Sequence, residues 1–202
     1  MVHRIICSFI LFFLLFTSSI FSQWFWQNPL PQGNEILSIN FVSDEGWAVG
    51  GEGTALLTTD GGVTWALKDL GTTENLRCVY MHSDTQIWIV GENGLILYIY
   101  NDGGTLDISQ QVSNTTERLN SVRYDLSGCG WICGNNGTVL RTSDLGINWI
   151  SQNANTTEHL YDMSYVDCNN AWAVGPDGLV IHTTDTGNNW SYQFAPTSWH
   201  LL

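Results

Sequence analysis

The chain is 202 residues long and 44% hydrophobic, with ten tryptophans and 20 glycines, and its 19 acidic side chains outweigh six Lys and Arg for a formal net charge of −13. That apolar share is enough for one sizeable core in a single domain. The acidic balance excludes nucleic acid and anionic membrane surfaces as partners, because both are bound through clustered cations.

The first 22 residues stand apart. His3 and Arg4 precede an unbroken apolar run from Ile5 to Phe16, followed by Thr17, Ser18 and Ser19. This is the pattern of a secretory signal peptide over 1–22, with cleavage expected beside Ser22 and Gln23. The run is about a dozen residues, short of the roughly 20 that a spanning helix needs, so no stable membrane anchor is expected. The remainder is expected to be exported: periplasmic, cell-surface or secreted. Removal of the leader takes away Arg4 and leaves the chain more acidic still.

Residues 23–202 read as one repeat domain. The motif Trp-x-(Val or Cys)-Gly-x-x-Gly begins at Trp47, Trp88, Trp131 and Trp172, spaced 41, 43 and 41 residues apart. Its glycines are Gly50 and Gly53, Gly91 and Gly94, Gly134 and Gly137, and Gly175 and Gly178. A period in that range marks four-stranded propeller blades, each unable to bury its own faces alone. The repeats run over about 34–74, 75–117, 118–158 and 159–199. The expected fold is therefore all-β, a β-propeller of four-stranded antiparallel blades, with four blades encoded as part of a larger ring. No helix signal appears after the leader.

Ahead of the first repeat, Trp24-x-x-Gln27-Asn28 mimics Trp149-x-x-Gln152-Asn153, the fourth strand of a blade. Residues 23–33 are therefore expected to be an outer strand that closes the last blade and protects its edge. Each repeat then opens on an alternating strand. Ile39/Phe41, Val79/Met81, Val122/Tyr124 and Met163/Tyr165 fall on one face, and Ser38/Asn40, Cys78/Tyr80, Ser121/Arg123 and Asp162/Ser164 on the other. The tryptophan strand follows and turns at Gly51-Glu52-Gly53, Glu92-Asn93-Gly94, Asn135-Asn136-Gly137 or Pro176-Asp177-Gly178. Asn-Gly and Asp-Gly accept the positive φ of tight hairpins.

The third strand runs into a second motif, Thr-x-Asp-x-Gly-x-x-Trp: Asp60, Gly62 and Trp65; Asp144, Gly146 and Trp149; Asp185, Gly187 and Trp190. Its chemistry reads as structural. A short carboxylate accepts backbone N–H bonds within its own turn, glycine supplies the open dihedral, and the tryptophan covers the hairpin. Repeat two departs, with one residue inserted at Asn101-Asp102-Gly103-Gly104 and no closing Trp, so a looser hairpin is expected there. The linkers Gly71-Thr-Thr-Glu74, Asn114-Thr-Thr-Glu117 and Asn155-Thr-Thr-Glu158 lead to the next blade. Thr197-Ser198-Trp199-His200-Leu201 aligns with the start of a fifth first strand.

The two-part unit, complete in Trp47–Trp65 and Trp172–Trp190, resembles the photosystem II stability/assembly factor-like family of β-propellers, which share the bacterial-neuraminidase or Asp-box repeat. The resemblance covers residues 24–202 and implies a rigid surface for binding other proteins, with no cofactor. Such domains also look widespread in exported bacterial proteins. The family usually closes with more than four blades, which is why a larger ring is expected here.

An enzymatic alternative is the propeller portion of a larger secreted glycoside hydrolase of sialidase type, or of an adhesin. A sialidase site needs three convergent arginines and a tyrosine nucleophile with an acidic partner. The candidates are Arg77, Arg118, Arg123 and Arg141, none in an Arg-Ile-Pro context. His82, His159, His182 and His200 show no metal-ligand spacing with one another or with cysteines, and no calcium-loop pattern appears. No catalytic or metal residue is assigned. For binding, the polar face of the first strands offers Asn40, Tyr80, Arg123 and Ser164 in register, with Arg77 nearby, as candidates lining a central channel. Inward arginines suit an acidic ligand or peptide; the alternative is that they pair with carboxylates such as Asp162 or Asp125.

Four cysteines follow the leader. Cys129 and Cys133 are four apart on one strand, roughly 13 Å, too far to pair. Cys129 and Cys168 fall in equivalent loops of successive repeats, where a bridge competes with the commoner state of single buried thiols.

Overall fold

Each repeat becomes one antiparallel sheet of four strands paired in chain order. The structure is a computed structural model and describes residues 33–125 and 127–194. Blade one holds β1 (Ile36–Val42), β2 (Glu45–Gly50), β3 (Ala55–Thr58) and β4 (Ala66–Leu67). Blade two holds β5 (Leu76–Met81), β6 (Gln86–Gly91), β7 (Ile96–Asn101) and β8 (Leu106–Gln111). Blade three holds β9 (Leu119–Tyr124), β10 (Gly130–Gly134), β11 (Thr138–Thr142) and β12 (Ile150–Asn153), and blade four β13 (Asp162–Tyr165), β14 (Ala171–Val174), β15 (Leu179–Thr183) and β16 (Ser191–Phe194). First strands neighbour first strands, β1 beside β5, β5 beside β9 and β9 beside β13, so they lie innermost and the fourth strands outermost. The leader, the expected closing strand before Gly33 and the segment 195–202 lie outside the described residues; the fourth place in blade four is filled by β16 from its own repeat.

The motif glycines set the blade ends. At the turn from β2 to β3, Glu52 and Gly53 both take positive φ, 52° and 69°, and Asn93/Gly94, Asn136/Gly137 and Asp177/Gly178 repeat this geometry. Two successive left-handed residues make the type I′ turn that matches strand twist. Gly53 also lies under the interblade linker: a Cβ there would stand 1.9 Å from the Thr72 carbonyl oxygen. The linker is stitched to the turn, Gly53 N donating to Glu74 O at 3.0 Å, Gly94 N to Glu117 O at 2.9 Å and Gly137 N to Glu158 O at 2.8 Å. The recurring glutamates add side-chain bonds from the next turn, Asn93 Nδ2 to Glu74 Oε2 and Asn136 Nδ2 to Glu117 Oε2, both 2.9 Å. Their recurrence is thus explained by docking of one blade onto the next.

The core is interblade. Trp47, Trp88 and Trp131 are fully buried, each pointing from its blade at the one that follows. Val79 and Met81, Val122 and Tyr124, and Met163 and Tyr165 point back at them from the next blade. Burying a side chain of this size removes apolar area worth about 2–3 kcal/mol. The Asp-box tryptophans join the same layers: Trp149 lies edge-on to Tyr124, and Trp190 edge-on to Trp131, each with ring centroids 5.8 Å apart.

Two expectations are corrected. The hairpin of repeat two is the most extensively paired outer hairpin, not a looser one: β7 and β8 pair continuously from Ile96↔Gln111 to Asn101↔Leu106, against two pairs in blade one and four in blades three and four. The inserted residue lets Asp102 Oδ1 accept from Gly104 N at 2.9 Å and Thr105 N at 2.7 Å, so a compact Asx turn replaces the Asp box, and Leu106 and Ile108 pack where the missing Trp would cover. Cys129 and Cys168 are not single thiols. They form a disulfide with Cα atoms 5.7 Å apart, clamping the β9–β10 loop to the β13–β14 loop. Cys78 and Cys133 are free and buried.

Candidate functional site

The three Asp boxes are closed hydrogen-bond units. Thr58 Oγ1 donates to Asp60 Oδ1 at 2.8 Å and accepts from Gly62 N at 2.9 Å, while Thr64 supplies its N–H to Oδ1 and its hydroxyl to Oδ2. In blades three and four, Asn148 and Asn189 take the place of Thr64 around Asp144 and Asp185. These donors hold the Asp60 carboxyl down at about 2, the Thr64 hydroxyl contributing most. Asp144 and Asp185 are also lowered, the first mainly by the Asn148 N–H and the second mainly by the Asn189 side chain. All their oxygens serve the turn.

On the polar face of the first strands, several of the described side chains bond from blade to blade. Asn40 Oδ1 accepts from Met81 N at 3.0 Å, and Ser38 Oγ accepts from Val79 N at 3.2 Å, so both staple blade one to blade two. Arg123 pairs with Asp162 at 2.9 Å across blades three and four and gives a second bond to Cys78 Sγ. Arg77 pairs with Glu92 at 2.5 Å within blade two. Ser164 is exposed on the far side of blade four. Of the remaining arginines, Arg118 donates to Asn120 and Arg141 lies over the Trp131 ring, 5.6 Å from its centroid. The four arginines occupy separate structural positions and do not converge on one point.

Of the five candidates, Tyr80 lines a concavity. Where β5, β9 and β13 end, beside the axis, Tyr80, His82, Asp125, Ser127, Tyr165 and Val166 surround an open cleft of about 490 Å³. The Tyr80 hydroxyl donates to the Tyr124 carbonyl at 2.7 Å, and the Tyr165 hydroxyl converges on the same oxygen from the other side. One carbonyl thus fixes two tyrosines from blades two and four across blade three. Burial raises the Tyr165 hydroxyl pKa above the usual phenol range, so it stays protonated as a donor. The Asp125 carboxylate closes the loop beside them, Oδ1 accepting from Ser127 N, Ser127 Oγ and Cys129 N, and the Cys129–Cys168 disulfide lies against it. A larger depression of about 770 Å³ covers the 112–116 linker at the opposite end, lined by short polar residues such as Ser113 and Thr115 that bond one another.

Sequence reading did not single out His82, Tyr165 or Asp125 for this site. Tyr165 sits on the strand face that packs back against blade three and is half-buried there while it also lines the cleft. The available signal was the Tyr-Asp pair at Tyr124-Asp125 and the Tyr-Val pair at Tyr165-Val166, which end equivalent strands.

Fold and site together define a BNR-type β-propeller array whose blades close on one another through tryptophan and Asp-box layers, with an aromatic cleft at one end of the axis. The sequence model of the Photosynthesis system II assembly factor YCF48 family matches residues 18–111 and 105–194, and the chain belongs to that family. It is 26% identical over 129 residues to the photosystem II stability/assembly factor HCF136 of Arabidopsis thaliana chloroplasts, covering 60% of this chain and 32% of that protein. Among solved structures, YCF48 from Cyanidioschyzon merolae superposes with a TM-score of 0.66 at 21% identity, over 85% of this chain and 60% of that one. YCF48 bound to D1 peptide gives 0.54 at 23% identity, over 83% and 71%. An ancestral GH74 enzyme gives 0.65 at 13% identity, over 87% and 26%. These structural likenesses establish the propeller fold. The chain spans about a third of the length of the HCF136 relative and three fifths of the red-algal YCF48 chain.

Proposed function

We propose that this chain is an exported, non-catalytic scaffold that holds a segment of another protein in the axial cleft between Tyr80, His82, Asp125 and Tyr165. The observation that carries this reading is the division of polar groups. The Asp boxes, linker glutamates and interblade residues Asn40 and Arg123 are bonded within the fold, whereas the cleft presents the rings of Tyr80 and Tyr165 and the His82 imidazole along an open rim, with the Asp125 carboxylate beside them held by its own loop. Aromatic and hydroxyl groups on a rigid rim suit recognition of an extended peptide. A YCF48 structure with a bound D1 peptide supports peptide binding as a use of this propeller class. The arginines, each held elsewhere, speak against a sialidase-type carboxylate clamp, and the GH74 likeness extends to the fold alone. Export is supported by the leader pattern in residues 1–22 and by the Cys129–Cys168 bridge, since such bonds persist in oxidising compartments.

The test is selection of a displayed 12-residue peptide library against the purified chain, followed by titration of the enriched peptides against wild type and Tyr165→Ala. Loss of affinity of tenfold or more in the variant, together with no turnover of sialosides or xyloglucan, is expected. Hydrolysis that disappears on replacing Asp125 with Asn, or selected peptides whose binding ignores Tyr165, would overturn the reading.

A further inference from the structure

Charge is divided unequally between the two ends of the propeller. The cleft lies at the end where the first strand of each blade passes into the second and the third into the fourth. In each blade these two connections meet through a backbone bond: Gly61 N to Asp44 O at 2.8 Å, Asn101 N to Thr85 O at 2.9 Å, Leu145 N to Gly128 O at 3.1 Å and Thr186 N to Asn169 O at 3.2 Å. The inner connections carry Asp44, Asp84, Asp125 and Asp167, one in each blade. The outer ones carry Asp60, Asp102, Asp144 and Asp185, again one in each blade. Among the described residues these connections hold no Lys or Arg. Lys68, Arg77 and Arg118 lie toward the opposite end, beside the linkers and the Gly-x-x-Gly turns, and Arg123 and Arg141 lie within strands. The aspartates keep their charge, because the groups that bond them are neutral. Asp167 Oδ1 accepts from Asn169 N at 2.7 Å and Asn170 N at 2.9 Å, and Asp102 Oδ1 from Gly104 N and Thr105 N. Such donors favour a carboxylate without cancelling it. At the head of β2, burial and the nearby Asp84 charge raise the Glu45 carboxyl, as like charges do when they stand close.

From this we infer that the segment held in the cleft is cationic, an extended stretch rich in Lys and Arg whose stems lie against the Tyr80 and Tyr165 rings while their charged heads face the inner aspartates. The inference rests on the peptide-holding reading of the cleft and adds the chemistry of what is held. Two properties of the site favour this occupant together. Tyrosine rings attract a cation over their faces, and the long stems of Lys and Arg cover apolar surface such as Val166, which is 72% exposed on the rim. The aspartates of the four blades add to one field of a single sign, which gathers a basic segment at the cleft and repels an acidic one. The arginines on the first strands do not reverse that sign: Arg123 is paired with Asp162, and Arg77 with Glu92 toward the far end.

The displayed 12-residue library, sequenced after selection on the full chain, reads the class of ligand directly. Enriched peptides are expected to carry a net charge of about +2 or more, and to lose about tenfold in affinity as sodium chloride rises from about 50 to about 500 mM. Replacing Asp84 and Asp167 together, as Asp84→Asn with Asp167→Asn, removes two inner charges while leaving each loop an oxygen acceptor. That double variant is expected to bind the peptides at least about fivefold more weakly, and Glu52→Gln at the opposite end to change them less than about twofold. Circular dichroism checks that each variant keeps its fold. Enriched peptides that are neutral or acidic and still depend on Tyr165 would overturn the cationic class and leave the peptide-holding reading standing. Basic peptides indifferent to Tyr165→Ala would remove that reading and this inference with it. Basic peptides indifferent to the double variant, or displaced by about 1 mM calcium at constant ionic strength, would overturn the inference as well.

Discussion

Trp131 of blade three and Trp190 of blade four meet edge to face, their ring centroids 5.8 Å apart at 90°, so the Trp-x-x-Gly motif of repeat three is completed by the Asp-box motif of repeat four. Between blades two and three and between blades three and four, the Trp-x-x-Gly strand of one blade and the Asp-box tryptophan of its successor share a single packing layer. A blade is therefore stable only in company, as solenoid and propeller repeats require.

The first prediction follows from this layer. Trp131→Ala removes a fully buried ring and is expected to cost about 3–5 kcal/mol in urea unfolding. Trp172→Ala is expected to cost about 1–2 kcal/mol, because its outward face is only partly removed from water. Equal losses at both positions would show that Trp172 is buried in solution.

Acid should act through the Asp boxes. Asp60 titrates at about 2 in the folded chain against an ordinary 3.8, so its contribution is complete above about pH 4 and fades as the pH falls from there towards 2. Asp144 and Asp185 are lowered in the same direction and add to this window. Thermal midpoints measured from pH 6 to pH 2 should fall most steeply below 4. The combined Asp60→Asn, Asp144→Asn and Asp185→Asn variant should start lower and show a flatter decline; a decline parallel to wild type would place the acid-sensitive groups elsewhere.

The interblade staples are separable. Asn40→Ala leaves the Met81 amide without its acceptor and is expected to cost about 1–2 kcal/mol. Arg123→Ala breaks a pair that is partly open to solvent, side chains 28% and 51% exposed, and is expected to cost less than about 1 kcal/mol. Chemical denaturation of the two single variants distinguishes them, and a larger loss at Arg123 would reveal a role beyond the Asp162 pair.

The disulfide closes a 39-residue separation. Cys129→Ser is expected to lower stability by about 2–4 kcal/mol, and thiol reductant should lower wild type towards the same value and leave the variant unchanged. Cys78 and Cys133 should stay inert to a thiol reagent until the chain unfolds, since both are buried and burial pushes the Cys133 thiol up. Prompt native labelling at either would contradict the packing of blades two and three.

What the sequence determined by itself is everything that recurs with the period. Trp47, Trp88, Trp131 and Trp172, the Gly-x-x-Gly turns and the boxes at Asp60, Asp144 and Asp185 specify strands, turns and blade order through local chemistry, and local chemistry repeats as text. The tertiary structure decided what depends on neighbours. Asn40 and Arg123 alternate onto a polar face in the sequence, but only the angle between blades shows that these two meet the next blade's Met81 amide and Asp162 carboxylate. The same angle brings Cys129 within 5.7 Å of Cys168, and turns the hydroxyls of Tyr80 and Tyr165, 85 residues apart, onto one carbonyl of Tyr124. A period of about 42 residues encodes each blade's face but not the rotation that stacks it, because that rotation is set by side-chain volumes summed over two blades.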